Sequence, residues 1–526
     1  MASESERLGA VAAAAQPAPR FGAGEMALLA SALVISACGL VYELVAGALA
    51  SYLIGDTLTR FSTVIGTYLF AMGVGAWLSR YLRTQLLERF VEVEIAVGVV
   101  GGFSAMLLFA AFAAGALFQP VLYLLVFAVG IFVGLEIPLL LRLLREHVSF
   151  EDLVSRVLSL DYLGALAASL AFPLWFVPRL GLVRTSLAFG MLNVAIALLT
   201  LWIFRHRLRA PALWGGSLVS FVALAAGFVF AERFTRATEE RLYRGEVVFA
   251  EQTPYQRVAL LQRNETVRLY LNGRLQFSSR DEYRYHESLV HPALAALARP
   301  GNVLVLGGGD GLAVREILRH PSVAHVTVVD IDAQVTDLFR QHPRLASLNA
   351  GSLRDPRVTV VNADAWRWLD ERPRGGAQGA LFDAIIMDLP DPSTYALGRI
   401  YSVPFFRLLA MHLAPDGLLA TQATAPFMVR EAFWSIVATI EAAGLRATPY
   451  QTLVPSFGGW GFVLAGRGEY RVPQALPEGL RFLTPRVLRS LFVFSPDVDR
   501  VAVEANRLDT QALVRYYDQG WRRARE

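Results

Sequence analysis

Hydrophobic and polar positions divide this chain into two regions of different rhythm. Up to about residue 231, apolar positions come in near-unbroken runs at 26–50, 61–82, 93–115, 118–141, 157–177, 183–204 and 212–231. Each run has about 20 residues, the length of helix that crosses a hydrocarbon layer. The pattern predicts an N-terminal α-helical transmembrane bundle over 26–231, with about seven apolar segments, behind a tail over 1–25. Near Arg241 the runs shorten and begin to alternate with polar stretches. Residues 256–261 and 267–271 alternate like strands, with Leu271-Asn-Gly-Arg274 as a hairpin turn between such segments. A small β subdomain is expected over 241–300, closing with a helix over 281–298. Short buried-strand runs then recur at 303–306, 326–329, 358–361, 384–387 and 418–421. Strands alternating with helical stretches predict a doubly wound α/β sheet over 301–470. The segment 471–526 has enough Leu, Val and Phe to fold, and is expected to be a helical extension.

Composition refines the membrane reading. The 526 residues are 54% hydrophobic and 18% charged, with a mean hydropathy of +0.42, an average over two unlike halves. A secretory signal peptide is not expected, because the first apolar run is too long and the residues before it are rich in Ala and Pro. One cysteine, Cys38, rules out an intrachain disulfide and a cysteine metal site. The net charge of +4 is carried by arginines beside the apolar runs, which is a topology signal and not a nucleic-acid footprint. Arginines cluster in alternate connections: Arg80, Arg83 and Arg89; Arg142, Arg145 and Arg156; Arg205, Arg207 and Arg209. That places the N-terminus in the cytoplasm, and seven full spans would leave the α/β half outside.

The chemistry gathers at one edge of the predicted sheet. Val303-Leu-Val-Leu-Gly-Gly-Gly-Asp-Gly311 is a strand breaking into a glycine turn (Gly307, Gly308, Gly309, Gly311) that opens a helix at Leu312. Such a turn lets backbone approach a ligand, and Asp310 inside it suits a cation better than a phosphate. Asp330 lies about 20 residues further on, where a carboxylate commonly holds ribose hydroxyls. Asp364 and Ala365 follow the next strand, and Asp388-Leu-Pro-Asp-Pro392 follows the one after. Carboxylates assembled at that edge suggest a positively charged nucleotide-like ligand; a sulfonium nucleoside fits better than NAD. The fold expected is Rossmann-like, of the class I methyltransferase type. These signals alone leave methyl transfer open.

The combination is more specific. Gln256, Tyr285-His-Glu287, Gly307-Gly-Gly-Asp-Gly311, Asp330-Ile-Asp332, Asp364 and Asp388-Leu-Pro-Asp-Pro392 resemble, in order and spacing, the spermidine synthase family. Leu271-Asn-Gly-Arg-Leu-Gln276 is similar to that family's signature hairpin, and the apolar runs resemble its membrane-fused bacterial branch. The resemblance implies a polyamine aminopropyltransferase. Such an enzyme moves the aminopropyl group of decarboxylated S-adenosylmethionine to a diamine such as putrescine, giving spermidine and 5'-methylthioadenosine. By the same resemblance Asp388 is the proton acceptor. Gln256, Asp310, Asp330, Asp364 and Ala365 bind the donor, with Asp330 at the ribose and Asp364 at the adenine; Tyr285, His286 and Asp391 line the acceptor side.

No metal or cofactor is implied, and no metal-ligand cluster is evident in the sequence. The expected partners are the diamine, the sulfonium nucleoside, the lipid bilayer and further copies of the chain as a dimer or tetramer. The expected location is the bacterial inner membrane with the catalytic half in the cytoplasm, which requires one apolar run to be re-entrant or hairpin-like, or the charge rule to fail. Two other readings are a methyltransferase using intact S-adenosylmethionine and a membrane polyamine transporter or sensor. Asp388 with Asp391 favours aminopropyl transfer, since methyl transfer needs no diamine clamp. Glu43, Glu136 and Asp161 inside the apolar runs are costly in lipid. Hydrogen bonding between helices, with Tyr42, Tyr162 or nearby backbone, is the first reading of them; a path or site for a polyamine is the second, and solvated placement near the interface the third. Asp332 and Trp366, Trp368 and Trp434 read as structural. Against the family pattern stand Asn272 for Asp, Asp330 for Glu, Ser393-Thr-Tyr395 without Gly-Pro, and Phe457 where a Tyr is common.

Overall fold

The computed structural model describes residues 22–54, 57–114, 118–145, 150–208, 210–243, 246–373 and 380–524. Most of the expected N-terminal tail, and Arg209, lie outside the described residues. The chain forms two compact units, Met1–Arg244 and Gly245–Glu526.

The first unit is helical: α1 (Ala23–Ile54), α2 (Thr57–Leu78), α3 (Leu86–Ala113), α4 (Phe118–Leu144), α5 (Phe150–Ala171), α6 (Val177–Ile203) and α7 (Pro211–Tyr243). Among the described residues, six helical stretches are long and apolar enough to cross a membrane by length and composition. The difference from seven runs lies in one place. Runs five and six fall on a single helical stretch, Phe150–Ile203, which passes through a wide π-type turn at Phe172–Phe176 and breaks at Gly181 (φ 71°, ψ 173°). Its 54 residues would extend about 80 Å if straight, far more than a hydrocarbon core of about 30 Å. The break resolves it into two arms, α5 packing on α1 and α6 on α3.

Small residues let these helices approach closely. A Cβ at Gly75, Gly134 or Gly164 would run into the backbone of Ile131, Met72 or Leu33, whereas Gly73 faces open space. Large apolar side chains point outward, with Leu174 at 73% and Val219 at 70% exposure. Among the described residues, Tyr42 and Tyr162 are not the partners of the ionisable residues, although Ser36 Oγ on α1 does donate to the Asp161 carbonyl on α5 (2.7 Å). Tyr42 donates to Asn193 Oδ1 (2.9 Å), whose amide donates to Glu94 Oε2 (2.9 Å), a residue the hydropathy pattern did not single out. Both Glu136 carboxylate oxygens are buried without a partner among the described residues, and Tyr162 faces outward.

The second unit begins with an antiparallel sheet in the order β1 (Glu246–Gln252), β2 (Arg257–Arg263), β3 (Thr266–Leu271), β4 (Arg274–Ser278). Asn272 and Gly273 both have positive φ (49° and 75°), the conformation that suits a tight two-residue hairpin turn. The Asn272 side chain also accepts from the Arg257 N–H (3.0 Å), so Asn serves here in place of the family's Asp. Helix α8 (Glu282–Leu294) follows.

A seven-stranded sheet then takes the order β10-β11-β9-β8-β5-β6-β7. Its strands are β5 (Asn302–Gly307), β6 (His325–Asp330), β7 (Val358–Asn362), β8 (Phe382–Asp388), β9 (Leu413–Gln422), β10 (Arg446–Val454) and β11 (Gly458–Gly466). Strands β9-β8-β5-β6-β7 are parallel, and β11 and β10 are added antiparallel. The helices are α9 (Leu312–Ile317), α10 (Ala333–Gln341), α11 (Pro343–Leu348), α12 (Ala365–Glu371), α13 (Tyr395–Gly398), α14 (Val403–His412), α15 (Arg430–Ala442), α16 (Pro485–Ser490) and α17 (Ala512–Arg523).

Alternation along β5 builds both cores. Val303 and Val305 pack with Leu289, Leu312 and Phe339, while Leu304 and Leu306 pack with Phe405, Phe433 and Ile436. Both cores continue beyond residue 470: Leu483 and Leu488 join the first, Leu513 and Tyr517 the second. Glu287 anchors that extension by accepting from the N–H groups of Arg481, Phe482 and Leu483 (2.8, 2.9 and 2.8 Å). The chain runs from β5 to β6 and β7 on one side and returns to β8 on the other. The carboxyl ends of β5 and β8 therefore flank a topological switch point, where open α/β sheets bind ligands.

Candidate functional site

At that switch point Gly307 lies in register with Asp388, and the Gly308 N–H donates to the Asp388 carbonyl (3.0 Å). Gly307 has φ 76°, and a Cβ there would strike Asp388 backbone, so glycine is required on both counts. Asp330, at the end of β6, accepts from the N–H groups of Gly309 (3.0 Å) and Asp332 (2.8 Å). Burial nonetheless raises its pKa to about 6 against those two bonds. Asp310 accepts from the Leu312 N–H (2.9 Å) at the start of α9. Burial raises Asp310 to about 7, with the His286 charge opposing and the Asp388 charge adding.

Helix α8 brings two residues to Asp388. Tyr285 Oη donates to Asp388 Oδ1 (2.9 Å), and His286 Nε2 stands 3.8 Å from Oδ2. The other ring nitrogen of His286 meets Glu282 Oε2 (2.8 Å), one helical turn earlier. Arg315 clamps both oxygens of Glu282 (3.0 and 2.9 Å). The result is a line of groups from Arg315 through Glu282 and His286 to Asp388. Burial alone would lower the His286 pKa; the bond and charge of Glu282, then the charges of Asp388 and Asp310, overrule it and lift it to about 9. Burial raises Asp388, opposed by the His286 charge and the Tyr285 hydroxyl.

Ligand atoms of His286, Asp310 and Asp388 lie within 4.8 Å of one another, a group that could hold a metal ion. No local motif marks this group, because its residues are far apart along the chain. A metal would need neutral imidazole, while the Glu282 and Asp388 charges beside His286 favour its protonated form. The two carboxylates suit an organic ammonium equally well.

The remaining expected residues flank this centre. Asp364 caps α12 by accepting from the Arg367 N–H (2.9 Å) and pairs with Arg399; Ala365 is the first residue of that helix. Gln256 reaches Asp332 Oδ2 (3.0 Å) rather than a glycine-turn residue, and Thr253 donates to the same oxygen (2.8 Å). Asp332 also caps α10, in line with its structural reading. Asp391 Oδ2 accepts from Tyr517 (2.9 Å) and Thr424 (3.4 Å), while its Oδ1 is buried without a partner among the described residues. Phe457 packs its ring 6.1 Å from that of Tyr285 and offers no hydroxyl. Trp366 stacks on Phe405, and the Trp434 indole donates to the Val498 carbonyl, so both are packing residues as expected. The motif reading missed Arg315, Thr424 and Tyr517. Glu282 alone carried a local signal, four residues before His286 on one helix face.

A doubly wound sheet with a glycine turn and clustered aspartates at its carboxyl edge defines an α/β protein of Rossmann-like class with a site at its switch point. Residues 282–472 match the spermine/spermidine synthase domain. The chain is 50% identical over 500 residues to a polyamine aminopropyltransferase of Leptospira interrogans, covering 95% of this chain and 99% of that one. It is 42% identical over 509 residues to polyamine aminopropyltransferase 1 of Streptomyces coelicolor, covering 94% of each. The solved spermidine synthase of Thermotoga maritima is similar with a TM-score of 0.43 at 24% identity, over 47% of this chain and 84% of its own. The chain belongs to the polyamine aminopropyltransferase family.

Proposed function

We propose that the chain transfers the aminopropyl group of decarboxylated S-adenosylmethionine to a diamine such as putrescine. The observation that carries this reading is Asp388, held between Tyr285 and His286 at the switch point, with Asp310 beside it and a free oxygen of Asp391 three residues on. A primary amine near pKa ~10 arrives protonated, so it needs carboxylates to bind it and one to take its proton. Asp388 accepts that proton; the freed lone pair attacks the methylene attached to sulfur. The carbon–sulfur bond breaks, its electrons return to sulfur, and neutral methylthioadenosine leaves. Alignment and electrostatics supply most of the catalysis, since the sulfonium is already an activated leaving group.

The donor lies along the sheet edge: ribose hydroxyls on Asp330, the adenine amino group near Asp364 and Ala365, and the aminopropyl ammonium near Asp310 and Gln256. Tyr285, His286 and Asp391 form the acceptor side. Intact S-adenosylmethionine would bring its own carboxylate toward Asp310 and Asp388, and like charges in a partly buried site repel strongly. The decarboxylated donor is therefore preferred, which separates this reading from methyl transfer. The six apolar stretches support a membrane-spanning first unit. In this reading it lies in the inner membrane with the α/β unit in the cytoplasm, which holds if the broken stretch Phe150–Ile203 crosses once, so that six crossings return the chain to the side of its N-terminus.

The test is to incubate the purified protein with either sulfonium donor and a panel of amines, and to weigh the products. Amines one aminopropyl unit heavier, with equimolar methylthioadenosine and only from the decarboxylated donor, are expected. Methylated amines from intact S-adenosylmethionine would replace this reading with methyl transfer.

A further inference from the structure

We propose that Tyr517, on helix α17, is a positioning residue for the acceptor amine: it fixes Asp391 through one carboxylate oxygen and leaves the other free for the substrate. The proposal rests on the reading of Asp391 as an acceptor-side group. Tyr517 is 3% exposed, with its hydroxyl between two partners. Arg274 Nη1 donates to it (2.7 Å), and it donates to Asp391 Oδ2 (2.9 Å). The direction is fixed by chemistry. A guanidinium can only donate, so the single phenolic hydrogen points at the carboxylate. Burial and the Asp391 charge push the phenol pKa up, so that hydrogen stays in place.

Asp391 is thereby held on one side only. Its Oδ2 is bonded to Tyr517 and Thr424; its Oδ1 is buried with no hydrogen bond among the described residues, with the Gln422 amide near enough to favour the charged carboxylate. An unsatisfied buried acceptor is costly unless a ligand completes it; an ammonium does so with charge assistance. The phenol also acts as a spacer. Arg274, at the start of β4, reaches Asp391 through the hydroxyl, not by direct contact. Without that hydroxyl the guanidinium would be free to pair with Asp391 in the amine's place.

Helix α17 is held independently of this bond. Asn506 Nδ2 donates to the carbonyls of Gly398 (2.8 Å) and Tyr401 (3.1 Å), and its Oδ1 accepts from the Leu513 N–H (3.3 Å). Tyr401 in turn bonds the carbonyls of Leu389 and Pro390, between the two aspartates. Phenylalanine at 517 would keep the packing and remove only the hydroxyl.

The test uses Tyr517→Phe in the full chain, purified in detergent. Its KM for the amine should rise about tenfold or more, the scale of one hydrogen bond to a charged group. Its kcat at saturating amine should stay within about threefold, and its methylthioadenosine affinity and melting temperature should match the parent's. Arg274→Met in the Phe background should recover most of the lost amine affinity by removing the competing cation. An unchanged amine KM, no recovery, or loss of methylthioadenosine binding together with the melting transition would each overturn the proposal. Asp391→Asn is the control: if it leaves the amine KM unchanged, the acceptor-side reading of Asp391 has failed and not the role of Tyr517 alone.

Discussion

The two units bury apolar residues by the same physics and in opposite directions. In the α/β unit, both faces of the central sheet are covered, and β5 residues 303–306 are wholly buried. In the helical unit, large apolar side chains such as Leu174 and Val219 are among the most exposed in the protein. The units treat charge differently too. The aspartates of the sheet edge are tied to named donors and sit beside His286, whose protonated form they favour; Glu136 in the bundle has no partner among the described residues. Other charges of the helical unit are paired locally, as in Glu94 with Asn193 and Arg184 with Glu232, whereas in the α/β unit charge converges on one sheet edge. Chemistry should therefore respond to the charges of the sheet edge and hardly at all to those of the bundle.

The largest effect is expected at Asp388. Asp388→Asn keeps shape but cannot take the amine proton, so turnover should fall by about 10²–10⁴, with methylthioadenosine affinity nearly intact by calorimetry. Turnover within about threefold of the parent would remove the proton-acceptor role. Asp330→Ala should weaken methylthioadenosine binding by roughly 1.5–3 kcal/mol, the scale of charge-assisted hydrogen bonds. Unchanged affinity would mean that another group holds the ribose.

A pH effect comes next. With Asp310 raised to about 7 in the empty site, its carboxyl is neutral below that pH and cannot hold an ammonium. The kcat/KM for the donor should thus fall as pH drops through about 7, and Asp310→Asn should flatten that limb; a donor kcat/KM level from pH 8 to 5.5 would contradict it. The smallest effect is expected in the bundle. Glu136→Gln should leave transfer within about twofold, and a tenfold loss would break the contrast between the units.

How much of this could be read from the chain depends on how local each signal is. The glycine turn, the Asn272-Gly273 hairpin and the five parallel strands are written in short stretches, and they fell where periodicity and turn chemistry put them. Strands β1 and β10 were not anticipated, because as edge strands they carry mixed burial rather than a clean apolar run. Nor was β11, because it opens on Gly-Gly-Trp-Gly although it is buried from Gly461 onward. Seven apolar runs fall on six candidate spans among the described residues, since helical geometry continues through Pro173 and Pro178 and only Gly181 leaves it. The line Arg315–Glu282–His286 was half legible, in the spacing of Glu282 and His286. Tyr517, 126 residues from Asp391, has no signature that the fold does not supply.

Turnover by residues 246–526 alone tests most directly whether the chemistry resides in one unit. Every residue assigned to the reaction lies at Gln256 or later, and the unit has cores of its own. The fragment should fold, bind methylthioadenosine, and turn over with a kcat/KM within about threefold of the full chain. A fragment that melts cooperatively and binds methylthioadenosine, yet transfers to no amine, would contradict the account and assign part of the acceptor site to the helical unit.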